Sequence, residues 1–158
     1  MKLQDQVCTL EQAKRLKELG VIYEPFFTWL ECAEFDEQGS KILKWIPVLF
    51  YEQGMDLYAV PGDYPESMKE EHGDFHETRG NSPAFTVAEL GVMIGRGTKA
   101  AESHFQWLMA CVNSGLSGTV AYNVTALAGF VITQLESGNL TPEEVNKRLT
   151  TQFEVPGL

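Results

Sequence analysis

A segment rich in histidine and acidic residues, at positions 70–77, has the residue types that could most directly do chemistry. It reads Glu-Glu-His-Gly-Asp-Phe-His-Glu. Imidazole and carboxylate groups are common ligands of zinc and other divalent ions, so His72, Asp74 and His76 could form the metal site of a hydrolase. Strong zinc signatures, however, place their ligands on a helix turn or in a tight knuckle. We therefore favour a hydrated acidic loop and assign no metal site and no cofactor.

Two carboxylates, Glu31 and Glu34, are a second candidate, because they lie in an otherwise apolar segment. General acid–base catalysis needs one carboxyl group that is buried and has a raised pKa. Both residues could equally face solvent, since antiparallel sheets often have one wet side. The chain has no G-x-S-x-G or H-E-x-x-H motif. We assign no catalytic residue.

The cysteines give no sign of a disulfide framework or a zinc site. Cys8, Cys32 and Cys111 are widely separated, odd in number and without a C-x-x-C pair. This pattern is typical of reduced thiols that pack as small hydrophobic side chains in a cytosolic protein.

The overall charge limits the classes of partner. The 158-residue chain has 22 Asp and Glu residues against 12 Lys and Arg, which gives a formal net charge of −10. Surfaces that bind nucleic acid are basic because they neutralise phosphates, so we expect no direct nucleic-acid binding. An acidic decoy that occupies the nucleic-acid groove of a host protein is an alternative function, provided that its acids are spaced like phosphates.

The sequence shows no targeting segment. Its first residues lack the apolar core of a signal peptide, and no apolar stretch reaches the roughly 18 residues of a membrane span. We therefore expect a cytoplasmic protein without membrane contact.

Helix-start signals predict where the elements that position these residues begin. In a capping box, a threonine hydroxyl accepts a hydrogen bond from the backbone N–H three residues on, and a Gln or Glu side chain reaches back. The pattern occurs at Thr9-x-x-Gln12, Thr86-x-x-Glu89 and Thr141-Pro-x-Glu144. It predicts helices over 10–19, 87–94 and 142–149. Apolar residues at helical spacing predict one more helix from about 124 to 135.

The segment between the first two helices is rich in aromatic and β-branched residues interrupted by turns. It predicts an antiparallel meander of three strands, at 26–35, 42–51 and 56–60. Pro47 cannot donate to the hydrogen-bond ladder, so the second strand should lie at an edge or contain a bulge. Residues 61–82 then form a long acidic loop without periodicity, a length typical of either functional or disordered loops.

Aromatic side chains are concentrated on the predicted strands. They are Phe26, Phe27, Trp29, Trp45, Phe50, Tyr51 and Tyr58. Core packing is the default interpretation, because base stacking would need interleaved cations and only Lys41 and Lys44 are near. Aromatic residues nevertheless occupy both alternating positions of the first strand. If one sheet face is uncovered, its apolar patch marks an interface, which predicts a homodimer through the sheet.

Three separated blocks of the sequence carry a resemblance to known proteins. They lie at 6–20 (Gln-Val-Cys-Thr-Leu-Glu-Gln-Ala-Lys-Arg-Leu-Lys-Glu-Leu-Gly), 26–29 (Phe-Phe-Thr-Trp) and 84–91 (Ala-Phe-Thr-Val-Ala-Glu-Leu-Gly). They resemble an uncharacterised family of small proteins from prophages and mobile elements of gut bacteria. The late helix of that family would fall on 123–137, where this chain lacks the charged residues typical of it.

The resemblance implies an α+β fold in which a strand pair precedes the late helix. Periodicity alone leaves 104–112 open between helix and strand, and the resemblance implies a β-hairpin made of 104–112 and 119–122. The combined prediction is a single α+β domain over 1–158, with a meander and a later hairpin packed against three or four helices. The family has no established activity. The predicted function is therefore a non-enzymatic phage or mobile-element accessory protein that binds a protein partner.

Overall fold

The chain has an α+β fold, with five α-helices and four strands in the part that the structure describes. A computed structural model describes residues 2–54, 56–60, 77–113 and 123–153. The helices are α1 (Leu10–Glu18), α2 (Val87–Ile94), α3 (Lys99–Asn113), α4 (Val124–Ser137) and α5 (Pro142–Phe153), after a short 3-10 helix at Leu3–Gln6. The strands are β1 (Phe27–Phe35), β2 (Ile42–Gln53), β3 (Asp56–Ala59) and β4 (Thr78–Pro83).

The capping threonines begin their helices as predicted. Thr9 and Thr86 each form a complete capping box, with the side chain at the third helical residue reaching back to the cap backbone. The Thr141 hydroxyl accepts from the backbone N–H of Glu144 at 3.3 Å. These bonds satisfy donors that the first helical turn leaves without an intrahelical partner.

The three-strand meander is confirmed, and β4 extends it into a four-stranded sheet of order β3-β2-β1-β4. Residues 78–82 were predicted as loop, which is wrong, because β4 pairs antiparallel with β1. The segment Thr-Arg-Gly-Asn-Ser-Pro has no apolar alternation, so pairing with the second edge of β1 decides its conformation. Gly80 has φ +72° beside an irregularity in the β1–β4 register, as is typical of a β-bulge. The rest of the predicted acidic loop, 61–76, lies outside the described residues.

Pro47 lies in an inner strand, not an edge strand. In the described sheet β2 is placed between β1 and β3, and the register shift in its pairing with β1 falls at Glu34/Phe35, away from the proline. β3 pairs only with residues 50–53 of β2. Pro47 lies beyond that short strand, so among the described strands its only cross-strand partner is Glu31 of β1. Among the described strands, the missing N–H therefore interrupts no pairing on the β3 side.

The predicted hairpin is wrong, because residues 99–113 form helix α3. Its start carries a signal that the apolar pattern obscured: the Thr98 hydroxyl accepts from the backbone N–H of Ala101 at 2.9 Å. The helical spacing within 104–112 therefore prevails over the strand-like alternation. The other half of the predicted hairpin, 119–122, lies outside the described residues.

Both faces of the sheet carry buried apolar side chains. The main core lies between the helices and the face that contains Trp29 and Leu49. A second cluster on the opposite face is centred on Cys32, Val48 and Phe50, which are all buried. The centre of this second face is therefore not an open apolar patch, and the exposed apolar side chains lie elsewhere.

The segment before α1 is fixed to distant parts of the chain. The backbone N–H of Cys8 donates to the Phe85 carbonyl at 2.9 Å, and Val7 forms an isolated antiparallel bridge with Thr86. The indole Nε1–H of Trp29 donates to the Cys8 carbonyl at 2.8 Å. The sheet, the chain start and the entry to α2 are thus joined at one buried point.

Candidate functional site

The sequence-predicted chemical residues form no site in the described structure. His72, Asp74 and His76 lie outside the described residues. Within the described ranges, no three His, Cys, Asp or Glu side chains gather in a way that could hold a metal ion.

Glu31 and Glu34 hold surface ion pairs. Lys14 Nζ and Arg79 Nε lie 3.7 and 3.3 Å from Glu31 Oε2, and Lys44 Nζ lies 3.4 Å from Glu34 Oε2. A general acid or base would need a buried carboxyl group directed towards a substrate site. This arrangement instead pairs each carboxylate with neighbouring cations, Glu31 on the face of the sheet that α1 contacts and Glu34 on the opposite face.

The clearest candidate for function is an exposed apolar cluster at one end of the sheet, which we call the aromatic surface. It consists of the exposed Phe26 and Tyr58, which both contact the partly buried Tyr51, together with Ile22 and Leu57, which line a cavity with Phe26. Leu57 and Tyr58 are adjacent in β3 and point to opposite faces of the sheet, so the surface extends around its edge. Ile22 is 78% exposed, Phe26 57%, Leu57 49% and Tyr58 44%. Exposed apolar side chains are unremarkable when scattered, but a contiguous group marks an interaction surface.

Three rings of the aromatic surface form a continuous stack. The Phe26 and Tyr51 ring centroids are 5.9 Å apart with 23° between the planes, and Tyr51 and Tyr58 are 5.7 Å apart with 26°. Phe27 meets Phe26 edge to face at 5.0 Å. Such contacts restrict the rings, so the surface presents preformed aromatic groups to a partner.

The connection between α1 and β1 places Ile22 on this surface. Gly20, with φ +97°, ends α1, and a Cβ on it would lie 3.0 Å from Pro142 Cβ. The Asn146 side chain of α5 then holds the connection from both sides: Nδ2 donates to the Gly20 carbonyl and Oδ1 accepts from the Ile22 N–H, each at 2.9 Å. Ile22 is therefore held outward by a fixed backbone.

A cavity of about 410 Å³ opens beside the aromatic surface. Ile22, Phe26 and Leu57 contribute to its lining, and Lys17, Glu24 and Glu52 add charged groups. A pocket with apolar walls and a few polar groups can receive an anchoring side chain of a partner.

A smaller exposed apolar patch lies on α3. Phe105 is 64% exposed and Met109 44%. Behind them, the Trp107 and Phe130 rings stack at 5.7 Å and His104 lies 5.1 Å from Phe130. Partial burial lowers the pKa of His104. Phe105 and Met109 do not line the cavity beside the aromatic surface or a second groove that is described below. This patch is therefore a weaker candidate than the aromatic surface.

Two cysteines are unsuited to nucleophilic chemistry. Cys8 and Cys32 are buried free thiols, as the sequence predicted. Burial raises the pKa of each to about 11, so the reactive thiolate is scarce at neutral pH. The side chain of Cys111 lies outside the described residues.

Glu89 is a buried carboxyl group with a structural role. It is 8% exposed, and its Oε2 accepts from the N–H and the hydroxyl of Thr86 at 2.7 and 2.9 Å. Burial raises the pKa of Glu89, although the bonds from Thr86 act in the opposite direction. The carboxylate completes the capping box of α2 and does not line the cavity beside the aromatic surface.

We expect Glu89→Gln to stabilise the protein increasingly as the pH rises. Because the pKa of Glu89 in the folded protein lies above the ordinary value of 4.5 for a glutamate, the stabilising contribution of Glu89 is complete below that value and is lost as the pH rises through the folded pKa. Glutamine keeps an acceptor for Thr86 without a charge. Urea denaturation of both proteins between pH 4.5 and pH 8 measures this, and a stability difference that is constant with pH would contradict it.

No helix in the described ranges is both long and apolar enough to cross a membrane.

No family model, curated protein or solved structure matches this chain. The resemblance to proteins of prophages and mobile elements stays a prediction from sequence.

Sequence reasoning identified part of the aromatic surface. Phe26, Tyr51 and Tyr58 were singled out as sheet aromatics, while Ile22 and Leu57 were not. No local pattern marks Ile22, because the connection that places it is held by Asn146, more than 120 positions away in the chain, which accepts from the Ile22 N–H and donates to the Gly20 carbonyl.

Proposed function

We propose that this chain is a non-enzymatic accessory protein of a prophage or mobile element, and that it acts by binding a protein partner through the aromatic surface. The observation that carries the proposal is the pair of exposed rings of Phe26 and Tyr58, which both stack on the partly buried Tyr51, beside a cavity. The sequence resemblance supports the biological context.

The composition of the aromatic surface suits a protein interface. Aromatic residues are enriched at the centres of interfaces, where they supply most of the binding free energy. Stacking already restricts the three rings, so less conformational entropy is lost when a partner binds. Lys17, Glu24 and Glu52 at the cavity provide the polar rim that such interfaces have.

The two alternative functions receive less support. The hydrolase depends on His72, Asp74 and His76, which lie outside the described residues. The acidic decoy needs uncompensated acids in an array, whereas several described acids lie in ion pairs with Lys or Arg: Glu18, Glu31, Glu34 and Glu136.

Photo-crosslinking tests the proposed surface. A photoreactive phenylalanine analogue replaces Tyr58 in one protein and Phe105 in a control, since Phe105 is also exposed but lies on α3. After irradiation in host cells, we expect discrete adducts from position 58 and none of the same mass from position 105. Adducts that are identical from both positions, or absent from position 58, would argue against the proposal.

The same experiment identifies the partner type. Mass spectrometry of the adduct distinguishes a second copy of this chain, which would make the protein a homodimer, from a different protein. Sedimentation velocity of the purified protein checks the first outcome, because a homodimer through this surface dissociates on dilution.

A further inference from the structure

A groove of about 910 Å³ lies on another part of the molecule, between α2 and α5. Each helix contributes one stripe of residues at helical spacing, over roughly two turns. Arg96, just after α2, and Lys147 and Arg148 of α5 place three cations on its lining, against the single carboxylate of Glu144. This concentration of positive charge stands out in a chain with a net charge of −10.

The guanidinium of Arg148 is held in place. Its Nη1 donates to the Met93 carbonyl at 2.9 Å, and the group lies close against Gly95, where an added Cβ would be 2.7 Å from Arg148 Cζ. The bond satisfies a carbonyl near the end of α2 and places a cation at the negative end of the helix dipole. It uses one of the five N–H donors of the guanidinium.

Capping of α2 explains the position of the Arg148 side chain, but it does not explain the two other cations of the groove, Arg96 and Lys147. Within the described part of the chain, Arg96 and Lys147 form no ion pair, and both are exposed. Lys41 and Lys99 also form none, but they lie outside the groove. What distinguishes the groove is that two cations without an ion pair lie beside a fixed guanidinium on one concave surface, where a single carboxylate, Glu144, offsets only part of their charge.

We propose that this groove binds a small ligand that carries linked phosphate groups, a di- or triphosphate. Guanidinium groups bind phosphate oxygens through paired hydrogen bonds, while lysine adds a point charge. The described lining has no aromatic ring on which a base could stack, so the phosphate chain itself is the recognised group. The Gly95-Arg96-Gly97 turn is not a phosphate loop, because it lacks the Lys-Ser/Thr that ends such a loop. The phosphate groups would therefore be bound by the cationic side chains of the groove.

Calorimetric titration of the purified protein with pyrophosphate and tripolyphosphate, at physiological ionic strength, tests the proposal. We expect saturable binding that is tighter for tripolyphosphate and that weakens as salt is added. Arg96→Gln and Lys147→Gln should each weaken binding about tenfold, the usual effect of losing a charge-assisted hydrogen bond. Arg148→Lys keeps the charge but loses the planar donor group, and should also weaken binding.

The matched control is Lys41→Gln, which removes the same charge from an exposed position outside the groove lining. It should leave the affinity within about twofold, the scale of a distant screened charge. Absence of binding, or binding that Arg96→Gln and Lys147→Gln leave unchanged, would overturn the proposal. Equal affinity for citrate would overturn the phosphate assignment, and so would tighter binding of a glutamate-rich peptide. Circular dichroism confirms that each variant is folded.

Discussion

Replacing Trp29 by alanine is expected to lower the free energy of unfolding by about 3–5 kcal/mol, the usual range for removing a buried aromatic side chain. Trp29 is only 9% exposed and belongs to the main core. Its indole also donates to the Cys8 carbonyl, which would lose this partner in the variant. Since domains of this size are stable by only about 5–15 kcal/mol, a large part of the total stability depends on this residue.

Urea denaturation followed by circular dichroism measures this loss. Trp45→Ala is the matched control, because Trp45 is only partly buried and stacks against Arg79 at 4.2 Å. We expect a smaller loss there. Trp29→Phe keeps part of the ring packing but removes the N–H donor to the Cys8 carbonyl. It should cost less than Trp29→Ala but at least about 1–3 kcal/mol, the penalty for an unsatisfied buried carbonyl. Equal losses for Trp29→Ala and Trp45→Ala would contradict the role given to Trp29.

Phe26→Ala and Tyr58→Ala are each expected to weaken partner binding about 30-fold or more, the effect of removing an interface hot spot worth at least roughly 2 kcal/mol. Both rings stack on Tyr51, so each truncation also releases its neighbour. Both side chains are exposed, so the loss of stability should be limited to about 0.5–1.5 kcal/mol for each ring contact that is removed. Titration of the partner identified by crosslinking measures the affinity.

Phe105→Ala is the control for this pair of variants. It removes the same type of exposed ring from α3 and should leave the affinity unchanged. If Phe105→Ala weakens binding while Phe26→Ala does not, the interface lies on α3 and the aromatic surface is not the binding site.

The meander could be predicted because its signals are local. Apolar and aromatic runs separated by turn residues determine β1, β2 and β3 within a few positions, and the capping threonines determine where α1, α2 and α5 begin. Each of these signals acts over a few neighbouring residues, as capping and turn formation do.

The errors arose where distant contacts decide the conformation. β4 has a polar sequence with Gly80 at its centre, and only its pairing with β1, more than 40 positions earlier, makes it a strand. In residues 104–112 the apolar side chains fit both helical spacing and strand alternation. The residue that favours the helix, the cap Thr98, lies before this segment. A resemblance to other proteins favoured the wrong alternative.

The two candidate sites follow the same rule. Phe26 and Tyr58 were noted as sheet aromatics with core packing as the default interpretation, and no local pattern brings Ile22 beside Phe26. The cationic groove could not be predicted at all, because Arg96 and Lys147 are about 50 positions apart and meet only when α2 packs against α5.

The attachment of the segment before α1 to the entry of α2 has a consequence for the order of folding. Val7 and Cys8 bond to Phe85 and Thr86, so the whole meander lies inside the loop that these contacts close. Closing so long a loop costs chain entropy, and contacts of such long sequence separation slow folding. We therefore expect the turns of the meander to form before the segment ahead of α1 docks.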